Sequence, residues 1–286
     1  MEIPIPSNNQ SFNLKIGVRA HEPMDLAVWG ADKSKNNTYY FKRKVPFGKN
    51  MFEQKGGAYR EFTVPLPLSP ELLTVDIFDK NYGDDVSFGI EKFELEKFQP
   101  SPFWADENVH RFIPFAEYFA QNSGHLPVGF HESKDGDFLI SYLPVINDGL
   151  EGELITPARI NRKSGRMQVS KRHFVKYTIP MRLYILLHEF FHKDIPTRNE
   201  IEADTHALKI YLDLGAPKTE AIYALTKVFK NHGVGRRHVR RVQNALRFIN
   251  KYSAESSTKK EPAINEEQLH HRDSFRPYRD KSFQEK

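Results

Sequence analysis

The stretch Leu186-Leu187-His188-Glu189-Phe190-Phe191-His192, continued through Lys193-Asp194-Ile195-Pro196-Thr197-Arg198-Asn199 into Glu200-Ile201-Glu202-Ala203-Asp204, decides the reading of the second half of the chain. Two histidines four apart on a helix present their rings on one face and can share one Zn²⁺. The Glu that follows the first His then stands where it can take a proton from a water on that ion. Pro196 ends the first helix. Thr197 is the expected N-cap of a second helix running to Leu214 and stopping at Gly215. A short connection makes the two helices antiparallel neighbours. His192 then lies opposite Glu200, and one turn deeper His188 lies opposite Asp204. Glu200 completes a two-His, one-Glu set with an open fourth position, as a catalytic zinc requires. Asp204 is placed to accept the second ring N–H of His188.

Two alternatives compete with this reading. The run can be an ordinary amphipathic helix with two satisfied histidines. Thr197-Arg198-Asn199-Glu200 is also a capping-box pattern, in which Glu200 reaches back to the backbone. Glu202 is the rival ligand, but it is turned about 200° from Glu200 on an ideal helix. It has His206, not Asp, four residues on.

The pair of motifs, His188-Glu189-Phe190-Phe191-His192 with Glu200-Ile201-Glu202-Ala203-Asp204, resembles the zinc metallopeptidases called gluzincins, over roughly residues 154–230. The resemblance implies His188, His192 and Glu200 as metal ligands, Glu189 as general base and acid, and Asp204 behind His188. It implies hydrolysis of a protein or peptide substrate. It also implies a donor for the substrate oxyanion, for which His173, Tyr177, His206, Tyr211 and His232 are the candidates. Relatives of this type bind substrate along an edge strand beside the active helix. Gly165-Arg166-Met167-Gln168-Val169-Ser170 has the alternation to be that strand. The same residues read equally as a plain hairpin strand with a turn at Lys163-Ser164-Gly165.

Composition narrows the classes. No window approaches 18 apolar residues, so no membrane span is expected. The start, Met1-Glu2-Ile3-Pro4-Ile5-Pro6, lacks the pattern of a signal peptide. The chain has no cysteine, which excludes disulfides and thiolate zinc sites and fits a cytoplasmic protein. The net charge is +5, yet residues 231–252 carry Arg236, Arg237, Arg240, Arg241, Arg247 and Lys251 without one acid. Helical spacing puts Val239, Val242, Leu246 and Ile249 on one face of that segment and most arginines on the other. A solvated basic face is the plain reading, and contact with nucleic acid or an acidic partner surface is the functional one.

The predicted fold class is α+β. Residues 1–99 are expected to form an antiparallel, C2-like β-sandwich serving recognition, after an irregular arm over 1–10. Its runs are Asn13–Arg19, Leu26–Trp29, Thr38–Lys44, Glu61–Leu66, Leu72–Phe78 and Phe88–Leu95. The stretch Val75 to Gly89 is similar to the last calcium loop of C2 domains, which implies Asp79, Asn81 and Asp85 as Ca²⁺ oxygens. An Asp-rich hairpin turn is the stronger alternative. Residues 100–252 are expected to be the small zincin-like domain. It opens with a helix over 100–124 interrupted by Pro114 and continues with strands at Phe138–Val145 and Glu153–Ile155. A further helix is read over Pro217–Phe229, and the basic helix closes the domain. Residues 253–286 form a polar tail, disordered unless a partner holds it. That tail motivates a second functional reading, an assembly component such as a phage virion protein that reuses a zincin-like fold. Nucleic-acid binding through the basic helix is a third.

Overall fold

The computed structural model of the chain describes residues 1–52, 57–80, 87–98, 103–149, 152–228 and 235–258. The fold class is α+β with antiparallel sheets in its first part. Seven strands come first: β1 (Glu2–Pro6), β2 (Phe12–Ala20), β3 (Met24–Ala31), β4 (Tyr39–Phe47), β5 (Ala58–Leu66), β6 (Leu72–Asp79) and β7 (Phe88–Lys97). They form a four-stranded sheet in the order β1-β6-β3-β4 and a three-stranded sheet in the order β5-β2-β7. Every pairing in both is antiparallel. Leu14, Ile16 and Val18 of one sheet and Leu26, Val28 and Ile77 of the other belong to a single buried core.

The first residues are not an irregular arm. β1 pairs with β6 from Glu2 opposite Asp76 to Pro6 opposite Leu72. Its prolines disguise it in the sequence. They are tolerated because β1 is an edge strand, where a missing N–H breaks no ladder on the open side. Of the residues tied to calcium, Asp79 is buried at the end of β6, and Asn81 and Asp85 lie outside the described residues.

The second part begins with α1 (Glu107–Asn122), capped by the Asp106 carboxylate accepting from the Val109 N–H at 2.9 Å. Pro114 does not interrupt it. Val109, Phe112, Ile113, Ala116, Phe119 and Ala120 bury one face, and that packing offsets the one backbone bond the proline forfeits. Next come β8 (Gly129–Glu132), β9 (Leu139–Leu143), β10 (Ile146–Asp148), β11 (Gly152–Leu154), β12 (Ala158–Ile160) and β13 (Met167–Ser170). β10 and β11 form a small hairpin, and the rest form a sheet in the order β12-β13-β9-β8. β13 pairs parallel to β9 and antiparallel to β12. It is therefore an interior strand, and the expectation of an open edge at Gly165–Ser170 is corrected. The edge is β12. The turn at Lys163-Ser164-Gly165 does form, with Asn161 Oδ1 accepting from the Lys163 and Ser164 N–H groups and Gly165 at φ +73°.

The helices α2 (Lys171–Phe174), α3 (Ile179–Asp194), α4 (Glu200–Asp213), α5 (Lys218–Tyr223) and α6 (Arg236–Thr258) complete the chain, with a π-helical turn at Ala224–Val228 after α5. α6 continues to Thr258, so the start of the expected disordered tail at Ser253 is corrected, and residues 259–286 lie outside the described residues. Among the described residues no helix is long and apolar enough to cross a membrane.

One side chain in particular joins the two parts. Arg182 of α3 is fully buried. It donates to the carbonyls of Tyr177 at 2.9 Å, Ala120 at 3.2 Å and Val175 at 2.8 Å, to Ser123 Oγ at 3.1 Å, and to the carbonyl of Asn37 between β3 and β4. No carboxylate is among these acceptors. Burial pushes its guanidinium pKa down to about 10, so it stays cationic at neutral pH.

Candidate metal centre

α3 is buried on nearly every side, from Ile179 through Leu187 and on to His192. It starts after Thr178 with Pro180 in its first turn and ends at Asp194, just ahead of Pro196. The connection to α4 is short, and contacts between the two helices run in opposite order. His192 Nδ1 meets the Thr197 carbonyl at 3.0 Å, His188 meets Glu200 and Asp204, and Tyr184 stacks edge-on against Tyr211. The helices are therefore antiparallel, as the connection predicts.

The capping differs from expectation in a way that frees Glu200. The N-cap is Asn199, not Thr197, and its side chain accepts from the Ile201 N–H at 3.1 Å. Thr197 Oγ1 instead donates to Glu202 Oε2 at 2.6 Å and accepts from the Asn199 N–H at 3.0 Å. Glu202 thus occupies the local capping contact, and Glu200 turns inward.

His188, His192 and Glu200 come together as a group able to hold a metal ion. The two Nε2 atoms are 3.3 Å apart, and Glu200 oxygens lie 3.4 Å from His188 Nε2 and 3.5 Å from His192 Nε2. Ligand atoms about 2.1 Å from a tetrahedral centre stand about 3.4 Å from one another, so the Nε2–Nε2 separation of 3.3 Å fits a zinc-sized site, and one Glu200 oxygen lies within 4.8 Å of both nitrogens. The other ring nitrogens reinforce this. His192 Nδ1 faces a carbonyl oxygen, which only accepts, and His188 Nδ1 lies 3.0 Å from Asp204 Oδ1. Both rings therefore carry their protons on Nδ1 in the neutral form. Two bare Nε2 lone pairs and a carboxylate then converge on one point, an arrangement that calls for a cation.

The carboxylates around the rings favour positive charge at this point, whether carried by a proton or by a metal ion. Burial lowers the pKa of His188, but the Asp204 and Glu200 carboxylates outweigh it and push the ring up to about 9. Burial alone raises the Glu200 carboxyl, yet His188, His192 and Arg241 hold it well below the usual range. Asp204 is lowered against its burial by His188 and Arg241. Glu189 goes the other way, raised chiefly by burial and opposed by the two histidines, with a hydrogen bond from the Ile160 backbone.

The site opens into a cleft of about 670 Å³. Its floor is His188, Glu189, His192 and Glu200. One wall is Ala158, Arg159 and Ile160 of β12, and the other is Arg236, His238 and Arg241 of α6. The sequence reading put Arg241 on the basic face rather than in the site, and it missed His238. Arg241 is buried, and its Nε and Nη2 donate to the two Asp204 oxygens at 2.8 and 2.9 Å. Its Nη1 lies 3.1 Å from Glu200. This draws α6 into a register different from the expected one. Ile249 faces inward as expected, but Arg241 and Ala245 do so too, whereas Val239 is 53% and Leu246 37% exposed. Arg241 thus leaves the basic face, on which Arg236, Arg240, Arg247 and Lys251 remain exposed; the side chain of Arg237 lies outside the described residues.

The expected oxyanion donors fare less well. Tyr211 is fully buried with its hydroxyl donating to the Pro217 carbonyl at 3.1 Å, so it is corrected to a structural residue. His206 is exposed with its ring tilted against Phe191, and His173 pairs with Glu153 at 3.2 Å. Tyr177 is partly buried in the core. None of these four lines the cleft, and His232 lies outside the described residues. The one signal that could have found His238 is its spacing from Arg241, three residues on along the same helix face. Comparison of the chain with protein-family models, with curated proteins and with solved structures finds no match.

Proposed function

We propose that the chain is a zinc-dependent hydrolase of peptide bonds built on a zincin-like arrangement of α3 and α4. The observation that carries this reading is the convergence, at the floor of an open cleft, of two Nε2 atoms 3.3 Å apart and the Glu200 carboxylate, one oxygen of which lies 3.4 Å from His188 and the other 3.5 Å from His192. His188, His192 and Glu200 would hold the ion. Zinc in such a site acidifies a water and polarises the substrate carbonyl.

The chain's own residues supply the rest. Glu189 lines the same cleft, and its raised pKa suits a carboxylate that accepts a proton from the attacking water and passes it to the leaving amine. Asp204 fixes the His188 tautomer, and Thr197 fixes that of His192. Among the described residues β12 is an edge strand of its sheet and lines the cleft, so its backbone can pair with an extended peptide. His238 on the α6 wall lines the cleft and is a candidate donor to a developing oxyanion.

The test is hydrolysis of a mixed peptide library by zinc-loaded protein, with Glu189→Gln and a chelated sample alongside. Cleavage abolished in both controls supports the reading. A zinc-loaded wild type that leaves every peptide intact would refute it.

A further inference from the structure

We propose that the cleft and an adjoining groove on α6 bind an acidic stretch of the peptide substrate, with Arg162, Arg236, Arg240 and Arg247 meeting its carboxylates. The proposal deepens the hydrolase reading by naming a substrate class; the charge argument itself does not depend on cleavage.

A second depression, of about 610 Å³, runs along α6 beside the cleft. Gly235 and Arg236 line both, so the two are continuous. Of the two acids in the cleft, Glu189 and Glu200, the second is already engaged. Glu200 contacts the histidines and Arg241, and Arg241 is balanced by Asp204. Arg159 has Asp148 at 3.7 Å. Arg162 and Arg236 are exposed at the mouth and have no acidic partner among the described residues. The groove adds Arg240 and Arg247, also exposed and without an acid beside them among the described residues. The sequence explains this bias, because residues 221–254 contain neither Asp nor Glu.

The track is long enough to be selective. From Arg236 to Arg247 a helix rises about 16 Å, which matches about five residues of extended peptide. Peptide is favoured over nucleic acid for two reasons. No Phe, Tyr or Trp is among the described residues lining either depression, so there is no platform for base stacking. Val239, at 53% exposure, sits among the arginines and offers an apolar contact that phosphates do not use. Carboxylates spaced along an extended chain, alternating with apolar side chains, fit both features.

The test uses the full chain, zinc-loaded and carrying Glu189→Gln so that bound peptide stays intact. Fluorescence anisotropy compares a labelled dodecapeptide alternating Asp/Glu with Leu/Ala against its Asn/Gln counterpart. The acidic peptide is expected to bind about tenfold tighter at about 50 mM salt, with the difference lost by about 0.5 M. Arg236→Glu combined with Arg240→Glu should abolish the preference. Zinc content and melting temperature serve as the folding control. Equal affinity for the two peptides would overturn the proposal. So would a preference that survives charge reversal, or a labelled single-stranded thymidine dodecamer binding tighter than the acidic peptide through the same arginines. Acidic-peptide binding that meets these criteria, without cleavage by wild type, would uphold the track and refute the hydrolase reading.

Discussion

Arg241→Met removes the buried cation through which α6 meets Asp204 and Glu200 while keeping most of the side-chain volume. In the native protein the guanidinium makes two bonds to Asp204 and approaches Glu200 at 3.1 Å. Without it Asp204, which is 2% exposed, keeps only His188 and a 3.4 Å contact from the Tyr184 hydroxyl. Breaking a buried ion pair by deleting one partner costs about 3–5 kcal/mol. Unfolding entropy of about 2.1 cal/mol/K per residue gives about 0.6 kcal/mol/K for a chain of this length, so the melting temperature should fall by roughly 5–8 °C. Asp204 also orients His188, and disturbing such a contact typically weakens metal affinity about 10–100-fold. Thermal melts with and without zinc, together with a chelator-competition titration, read both effects. Asp204→Asn should show a similar loss, and the double variant should lose less than the sum. A variant that melts within about 1 °C of wild type and binds zinc equally would refute the idea that α6 is fastened to the site through this residue, because a change that small corresponds to well under 1 kcal/mol.

Three other consequences can be checked. Arg182→Met strands four carbonyls and a hydroxyl in the core and should cost about 2–4 kcal/mol in urea unfolding, with Arg182→Lys intermediate; equal stability of all three proteins would exclude the proposed staple between the two parts. Glu220 is buried, accepts from Thr178 Oγ1 at 2.6 Å and has its pKa raised chiefly by burial, so its stabilising contribution is full below the ordinary value of 4.5 and is lost as pH rises through the raised folded pKa. Glu220→Gln should therefore flatten the fall of melting temperature with pH above 4.5, and an unchanged slope would contradict this. Gly215→Ala should destabilise by more than about 1 kcal/mol, because φ there is +74° and an added Cβ would collide with the Phe98 ring; a neutral effect would show that the α4 terminus relaxes freely.

How much of this was legible in the sequence follows from what kind of contact was involved. The grouping of His188, His192, Glu200 and Asp204 depends on helical spacing and one short connection, both local, and the structure places them together. The six strand runs from Asn13 to Leu95 were likewise visible as alternation. What failed depended on pairing over distance. Whether β13 is an edge is decided by its parallel partner β9 and by β12, and no local pattern encodes that order. Arg241 was assigned to the solvent face because hydrophobic periodicity treats every arginine as polar; its acceptor Asp204 is 37 residues away. Once Arg241 turns inward, Val239 and Leu246 must turn outward, so a single ion pair explains the whole error in the face of α6. The change of N-cap from Thr197 to Asn199 was a choice between two good caps, settled by Glu202 taking the Thr197 hydroxyl.

The central claim is that His188, His192 and Glu200 form a zinc site, and metal content tests it most directly. Protein purified without an affinity metal would be analysed by mass spectrometry as wild type and as His188→Ala. The account predicts one zinc per chain in the wild type and its loss in the folded variant. A folded wild-type protein that carries no zinc and takes up none on titration would contradict it.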